Sequence, residues 1–358
     1  MVQASVDKGV ITVRFMPSFR FLGLVTLAAA GLQAQPSTTG TPYWSTTPMD
    51  CSAAGSQTYT IPLASGGTGY VCIVSGTFLW LAAGGSWGTS IRVSAPASGA
   101  IGVDYSFYDP SGSTLTLDST SPNGAASSND VNFVLKTNQP SDVNLLGAPS
   151  DAPQYGKTQT GSVYAVFYCP NATACATVLP QLLYAFSPIK PWSLSVPISW
   201  DGFFSDVQVA GAWTQWSATG INDATRFVSF VVYSQSTVAS VFTIRVYDST
   251  GSLVGQGTTP VIPGYSAVTQ EGGTYGALLS QVISTPLPSG VFKVTVDGGS
   301  NSSSVSFLQF SGDSAASLQV AFDTTSATTT LAAPAQRPNL RGVRVPASVH
   351  QVSGGLPK

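Results

Sequence analysis

Trp192, Trp200, Phe203, Phe204, Trp213 and Trp216 crowd one short stretch, and within it Trp200-Asp201-Gly202-Phe203-Phe204 breaks a strand-like alternation with an Asp and a Gly. Aromatic faces beside a carboxylate hold sugar rings by stacking and hydrogen bonding. That makes Trp200, Asp201, Phe203 and Phe204 the candidate ligand contacts and a polysaccharide the candidate ligand. The competing use of the same residues is packing, since buried Trp and Phe are expected in any β-sandwich.

Other chemistry finds little support. Glycoside hydrolysis needs two carboxyl groups, and Asp201 with Asp206 is one available pair. Most Asp residues, however, stand beside Gly, Ser, Pro or Asn, where they make turns. The single histidine, His350, lies in a Thr, Ala and Pro-rich tail without apolar periodicity, so a Ser-His-Asp site or a His-held metal has no partner in the body of the chain. Gly156-Lys157-Thr158 looks like the end of a phosphate loop, but Asp151 stands where that loop needs glycine. Asp109 and Asp248 head the matching runs Asp109-Pro110-Ser111-Gly112-Ser113 and Asp248-Ser249-Thr250-Gly251-Ser252. Calcium requires more carboxylates than one per loop, whereas Asp opening a turn closed by Gly accounts for both runs. No catalytic residue, metal or cofactor is assigned.

The cysteines carry more information. Cys51, Cys72, Cys169 and Cys175 are an even set, which in an oxidising compartment reads as two disulfides. Three connectivities are open, and the local one, Cys51 with Cys72 and Cys169 with Cys175, is the most economical. An oxidising compartment is indicated by the leader. Arg14 and Arg20 precede the apolar stretch Phe21–Leu32, and small residues follow up to Ala34, the pattern of a secretory signal over residues 1–34 with translation starting at Met1 or Met16. Cleavage after Ala30 is the alternative. Twelve residues at 1.5 Å rise span about 18 Å, short of a bilayer core of about 30 Å. No transmembrane segment is expected in the mature chain, which is placed outside the cell or at its surface, with the periplasm as an alternative.

The elements that must position these residues come from a repeat. Thr60-Ile61-Pro62-Leu63 lies on Ser195-Val196-Pro197-Ile198, Val93 to Asp109 lies ungapped on Val232 to Asp248, Gly161 to Phe167 lies on Gly290 to Val296, and Leu182 to Phe186 lies on Leu318 to Phe322. Within each copy the apolar period is two: Val103, Tyr105 and Phe107 alternate with Asp104, Ser106 and Tyr108, and Phe242, Ile244 and Val246 with Thr243, Arg245 and Tyr247, so one face is expected to be buried. The fold class is all-β: two tandem immunoglobulin-like antiparallel β-sandwiches related by internal duplication. The expected divisions are a linker at 35–57, sandwiches at 58–190 and 191–323, and a disordered tail at 324–358. The Tyr-Asp-x-x-Gly-Ser runs, with Ser306-Phe307-Leu308-Gln309-Phe310-Ser311-Gly312-Asp313 and Leu318-Gln319-Val320, resemble the tandem β-sandwich proteins that some soil bacteria export. The resemblance implies a fold and a compartment and carries no catalytic residue.

Charge narrows the partners. Of 358 residues only 8% are charged, and Glu occurs once, at Glu271. Binding nucleic acid needs clustered Lys and Arg, which are missing. The net charge of −2 divides into +2 over residues 1–34, −8 over residues 35–323 and +4 over the tail, through Arg337, Arg341, Arg344 and Lys358. Four charges spread over that length make a weak patch. The expected function is a non-enzymatic binding or structural protein whose partner is a polysaccharide or another surface protein. The alternatives are a carbohydrate-binding protein or Asp-dependent hydrolase, and a subunit that self-assembles through its sheet edges.

Overall fold

The computed structural model describes residues 4–7, 10–13, 42–52, 57–63, 67–178, 180–186, 195–198, 203–204, 214–222, 226–265, 271–312 and 318–322. Residues 1–35 and 36–358 are separate compact units. In the first, β1 (Ala4–Asp7) and β2 (Val10–Val13) pair as an antiparallel hairpin. The leader's apolar stretch lies outside the described residues, as does the tail.

The second unit is all-β and antiparallel. Its strands are β3 (Gln57–Pro62), β4 (Thr68–Ala83), β5 (Trp87–Ser94), β6 (Ile101–Tyr108), β7 (Leu117–Ser121), β8 (Gly124–Ser128), β9 (Asp130–Leu135), β10 (Pro140–Gly147), β11 (Gln159–Cys169), β12 (Gln181–Phe186), β13 (Ser195–Ile198), β14 (Phe203–Phe204), β15 (Gln215–Asn222), β16 (Arg226–Ser234), β17 (Thr243–Tyr247), β18 (Leu253–Thr258), β19 (Thr274–Leu278), β20 (Gly290–Asp297), β21 (Ser303–Gly312) and β22 (Leu318–Phe322). Among the described residues, short helical turns interrupt them: α1 (Ala172–Ala176), α2 (Leu279–Val282) and a 3-10 turn at Pro149–Asp151.

One sheet runs β13-β12-β5-β10-β7-β8 and another β14-β4-β11-β6-β9, with β3 also on β4. Period-two alternation sends Ile91, Val93, Val103, Phe107, Val163 and Phe167 into a single core fed by both. Two four-stranded sheets, β15-β20-β17-β18 and β19-β16-β21-β22, enclose a second core around Phe230, Phe242, Ile244, Phe292 and Val294. The order β4-β11-β6-β9 thus has its parallel in β15-β20-β17-β18, and β12-β5-β10 in β21-β16-β19. The match of Leu182–Phe186 to Leu318–Phe322 does not extend to pairing, because β12 lies on β5 whereas β22 lies on β21. Among the described residues, ion pairs bridge neighbouring strands between Arg92 and Asp142 at 2.8 Å and between Arg245 and Asp297 at 3.1 Å.

Three observations add to these expectations. Within residues 35–57, expected as a linker, Tyr43 and Cys51 are buried. Ser195–Ile198 and Phe203–Phe204 were placed beyond the boundary at 190/191, yet they pair with β12 and β4 of the preceding sheets. Finally, β6 is buried on both faces, Asp104 and Tyr108 included, while β17 keeps the expected one-sided pattern.

The two Asp-headed runs form the same turn. Asp109 Oδ1 accepts from Ser111 N at 2.8 Å, Ser111 Oγ at 2.6 Å and Ser113 N at 3.1 Å. Asp248 Oδ1 accepts from Thr250 N at 2.9 Å, Thr250 Oγ1 at 2.6 Å and Ser252 N at 2.9 Å. Gly112 and Gly251 follow at φ +81° and +85°, the left-handed region that favours glycine. Their surroundings differ. The second turn is open, whereas the first abuts the segment entering β19, where Thr274 N donates to Pro110 O at 3.0 Å and Thr274 Oγ1 donates to Leu79 O at 2.8 Å. There Leu79 packs with Val231 and Tyr233, and the buried Glu271 carboxylate accepts from the Tyr233 hydroxyl.

A Cβ on Gly251 meets nothing, but one on Gly112 collides with the Glu271 carbonyl oxygen. Gly251→Ala is therefore expected to lose only the left-handed preference, about 1–2 kcal/mol. Gly112→Ala is expected to lose about 2 kcal/mol beyond that, through overpacking. Urea midpoints at unchanged slope measure both, and equal losses would show that the first turn does not bear on the junction.

Candidate functional site

Of the four candidate ligand contacts, Phe203 and Phe204 form β14, paired with Gly76 and Ser75 at the edge of β4. Trp200 and Asp201 lie outside the described residues, as does Asp206. The structure therefore does not bring the four together as a described site.

What it assembles instead lies on the face of β4, β11, β6 and β9 turned away from the core. Register places Asp104 beside Val166 on β11 and beside Asn132 on β9. One step along, Ser106 stands between Tyr164 and Asp130, and Tyr164 is opposite Thr77. One step the other way, Gly102 is opposite Tyr168, and the ring of Tyr43 lies over both, its centroid 6.5 Å from that of Tyr168. Residues that alternation assigns to solvent are thus covered, at the Gly102 end by an aromatic segment carrying Tyr43 and Trp44 and at the Tyr108 end by the Glu271 region.

Asp104 is 1% exposed, and neither carboxyl oxygen has a hydrogen-bond partner among the described residues. The hydroxyls of Tyr43, Tyr168 and Thr77, buried on the same face, are likewise unpartnered. Desolvation, reinforced by the Asp130 charge, pushes the Asp104 carboxyl up to about 7. Asp130 itself accepts from Ser128 Oγ at 2.8 Å and from Asn132 Nδ2 at 3.4 Å. Burial raises the phenols as well, Tyr43 to about 12. Burial thus favours the protonated form of Asp104, while its neighbour Asp130 is a hydrogen-bonded acceptor. Buried as it is, Asp104 meets no solute in this conformation. Sequence reasoning missed it because periodicity says which residues share a face and not what covers that face.

Both local disulfides are formed, Cys51 with Cys72 and Cys169 with Cys175, at Cα separations of 5.5 and 5.4 Å. The link between Cys169 and Cys175 holds the one-turn helix α1, which is capped by Asn171 Oδ1 accepting from Ala174 N at 2.8 Å. Lys157 N donates to Asp151 Oδ2 at 2.6 Å, so the Asp that interrupts the phosphate-loop pattern organises its own loop. Among the described residues no helix is long and apolar enough to cross a membrane. No family model matches this chain, and no curated protein matches it in sequence.

The raised Asp104 carboxyl sets a pH dependence. The folded protein keeps a proton that the unfolded chain releases above its ordinary value of 3.8. This contribution is therefore fully present below about 4 and is lost as pH rises through about 7. The groups facing it are Asp130, Tyr43, Tyr108, Tyr164 and Tyr168. Asp104→Asn, which keeps the shape without the charge, is expected to melt higher than the parent at about pH 8, to keep only part of that advantage at about pH 5 and to lose it below about pH 4. Thermal melts across the range measure it, and a constant difference between the two proteins would show that Asp104 does not titrate there.

Proposed function

We propose that this chain works outside the cytoplasm as a non-enzymatic binding or structural protein, built from two related immunoglobulin-like sandwiches. The observation that carries the reading is the pairing of all four cysteines, which suits an oxidising compartment. The local use of carboxylates supports it too: Asp109 and Asp248 close turns, Asp142 and Asp297 pair with arginines, and Asp118 accepts from the Tyr155 hydroxyl. Groups spent on scaffold geometry are unavailable as acid or base. The recurring strand order and the twin Asp turns support a duplication.

A second reading, self-assembly, is favoured by β8. This strand ends its sheet, is largely exposed, and consists of Gly124-Ala125-Ala126-Ser127-Ser128 without charge, proline or bulge. Natural edges are usually defended by those devices.

Protein recovered from outside the producing cell is expected to take up no thiol-directed label until reduced, and then four; label before reduction counts against export in this form. Pull-down on insoluble glycans and surface polymers tests the ligand class. A polysaccharide bound through the Trp200 loop is expected to be held at least about tenfold less tightly by Trp200→Ala, and equal retention removes that loop as the site. Light scattering that finds a monomer at every concentration removes assembly through β8.

A further inference from the structure

Cys72 on β4 and Cys169 on β11 are direct register partners across an antiparallel ladder. Residues so placed have Cα atoms about 4.5–5.5 Å apart and side chains on one face. That lies inside the roughly 4.4–6.8 Å that a disulfide spans. Yet each is bonded elsewhere, Cys72 to Cys51 and Cys169 to Cys175. All four belong to one buried core, and Cys175 Sγ lies 3.4 Å from the carbonyl oxygen of Cys72. Two disulfides are therefore packed side by side, and the bond between their inner members needs no displacement of the strands.

We propose that the four cysteines form one exchangeable unit, whose alternative state is a cross-strand Cys72–Cys169 disulfide and whose released thiols are Cys51 and Cys175. The entry point is α1, a five-residue helix with Thr173, Ala176 and Thr177 exposed, too short to resist local opening. An external dithiol reduces Cys169–Cys175, supplying two electrons and two protons and becoming a disulfide itself. Cys169, as thiolate, then attacks Cys72 Sγ. The Cys72–Cys51 bond breaks, and Cys51 leaves as a thiolate that takes up the proton Cys169 gave up. The exchange step is redox-neutral.

Its consequence falls on the segment preceding Cys51. Tyr43 and Trp44 cover the Gly102 end of the outer face, while Cys51 lies in the inner core, so the segment straddles the end of the sheet and is fastened covalently only through Cys72. Exchange releases that fastening and staples β4 to β11 instead. The device operates whatever ligand the protein holds.

The parent protein is treated with limiting dithiol above the ordinary thiol pKa of about 8.5, quenched in acid, alkylated, and mapped by peptide mass without further reduction. The expected two-thiol species carries label on Cys51 and Cys175 together with a linked Cys72–Cys169 peptide. Label confined to Cys169 and Cys175, or to Cys51 and Cys72, overturns the proposal. Two variants approach the same bond from opposite sides: Cys175→Ser is expected to expose Cys51, and Cys51→Ser to expose Cys175. In Cys175→Ser, hydrogen exchange over residues 42–51 is expected to quicken at least about tenfold, and label remaining solely on Cys169 overturns the proposal again. Four labels before any reduction would instead contradict the extracellular reading, so the two failures are distinguishable.

Discussion

Strand β4 runs for sixteen residues and is buried on both faces along nearly all of them. A sheet strand in that position has no solvent side, so every polar group it shares a face with must be covered by something else in the chain. On one side the cover is the partner sheet. On the other it is assembled from pieces: the segment with Tyr43 and Trp44, and the region around Tyr233 and Glu271. The disulfide to Cys51 and the docked Asp109 turn serve that requirement. Its cost is visible in Asp104, Thr77 and Tyr168, whose buried oxygens lack partners, at about 1–3 kcal/mol for each neutral group so left.

Much of this was legible in the residues themselves. Alternation through Val103, Tyr105 and Phe107 identifies the core face of β6, the spacing of Asp109 and Gly112 identifies a turn, and the even set of cysteines suggests the pairing found. Each is a local signal. What escaped is nonlocal. Nothing in Asp104's neighbourhood says that another part of the chain lies over it. The spacing of Cys51, Cys72, Cys169 and Cys175 likewise does not reveal that the middle two are opposite one another. Residues 195–198 and 203–204 show the same limit: likeness to the chain around residues 60–69 places them at the start of a second copy, while backbone pairing follows whichever edge is open beside them, here β12 and β4. The candidate ligand contacts stand differently, since Trp200 and Asp201 fall outside the described residues and only the pairing of Phe203 and Phe204 is on view.

Comparing the two Asp turns separates what a local sequence determines from what its surroundings add. The same carboxylate geometry and the same positive φ recur, yet one turn is a free tip and the other is locked beneath Glu271. Identical local energetics thus support two different roles. The only glutamate of the chain is buried at the locked one, where its acceptor is used by a tyrosine hydroxyl.

The two ion pairs carry a further consequence. Arg92 with Asp142 is substantially exposed, and Arg245 with Asp297 retains about a third of its side-chain surface. Such pairs contribute about 0–1 kcal/mol each, and screening acts only on that small share. Among the described residues, apolar packing and backbone ladders do far more to hold the sheets together than these two pairs. Raising the salt concentration therefore removes little through these two pairs, and what it does to the fold passes instead through the excess of carboxylates over Lys and Arg in residues 35–323.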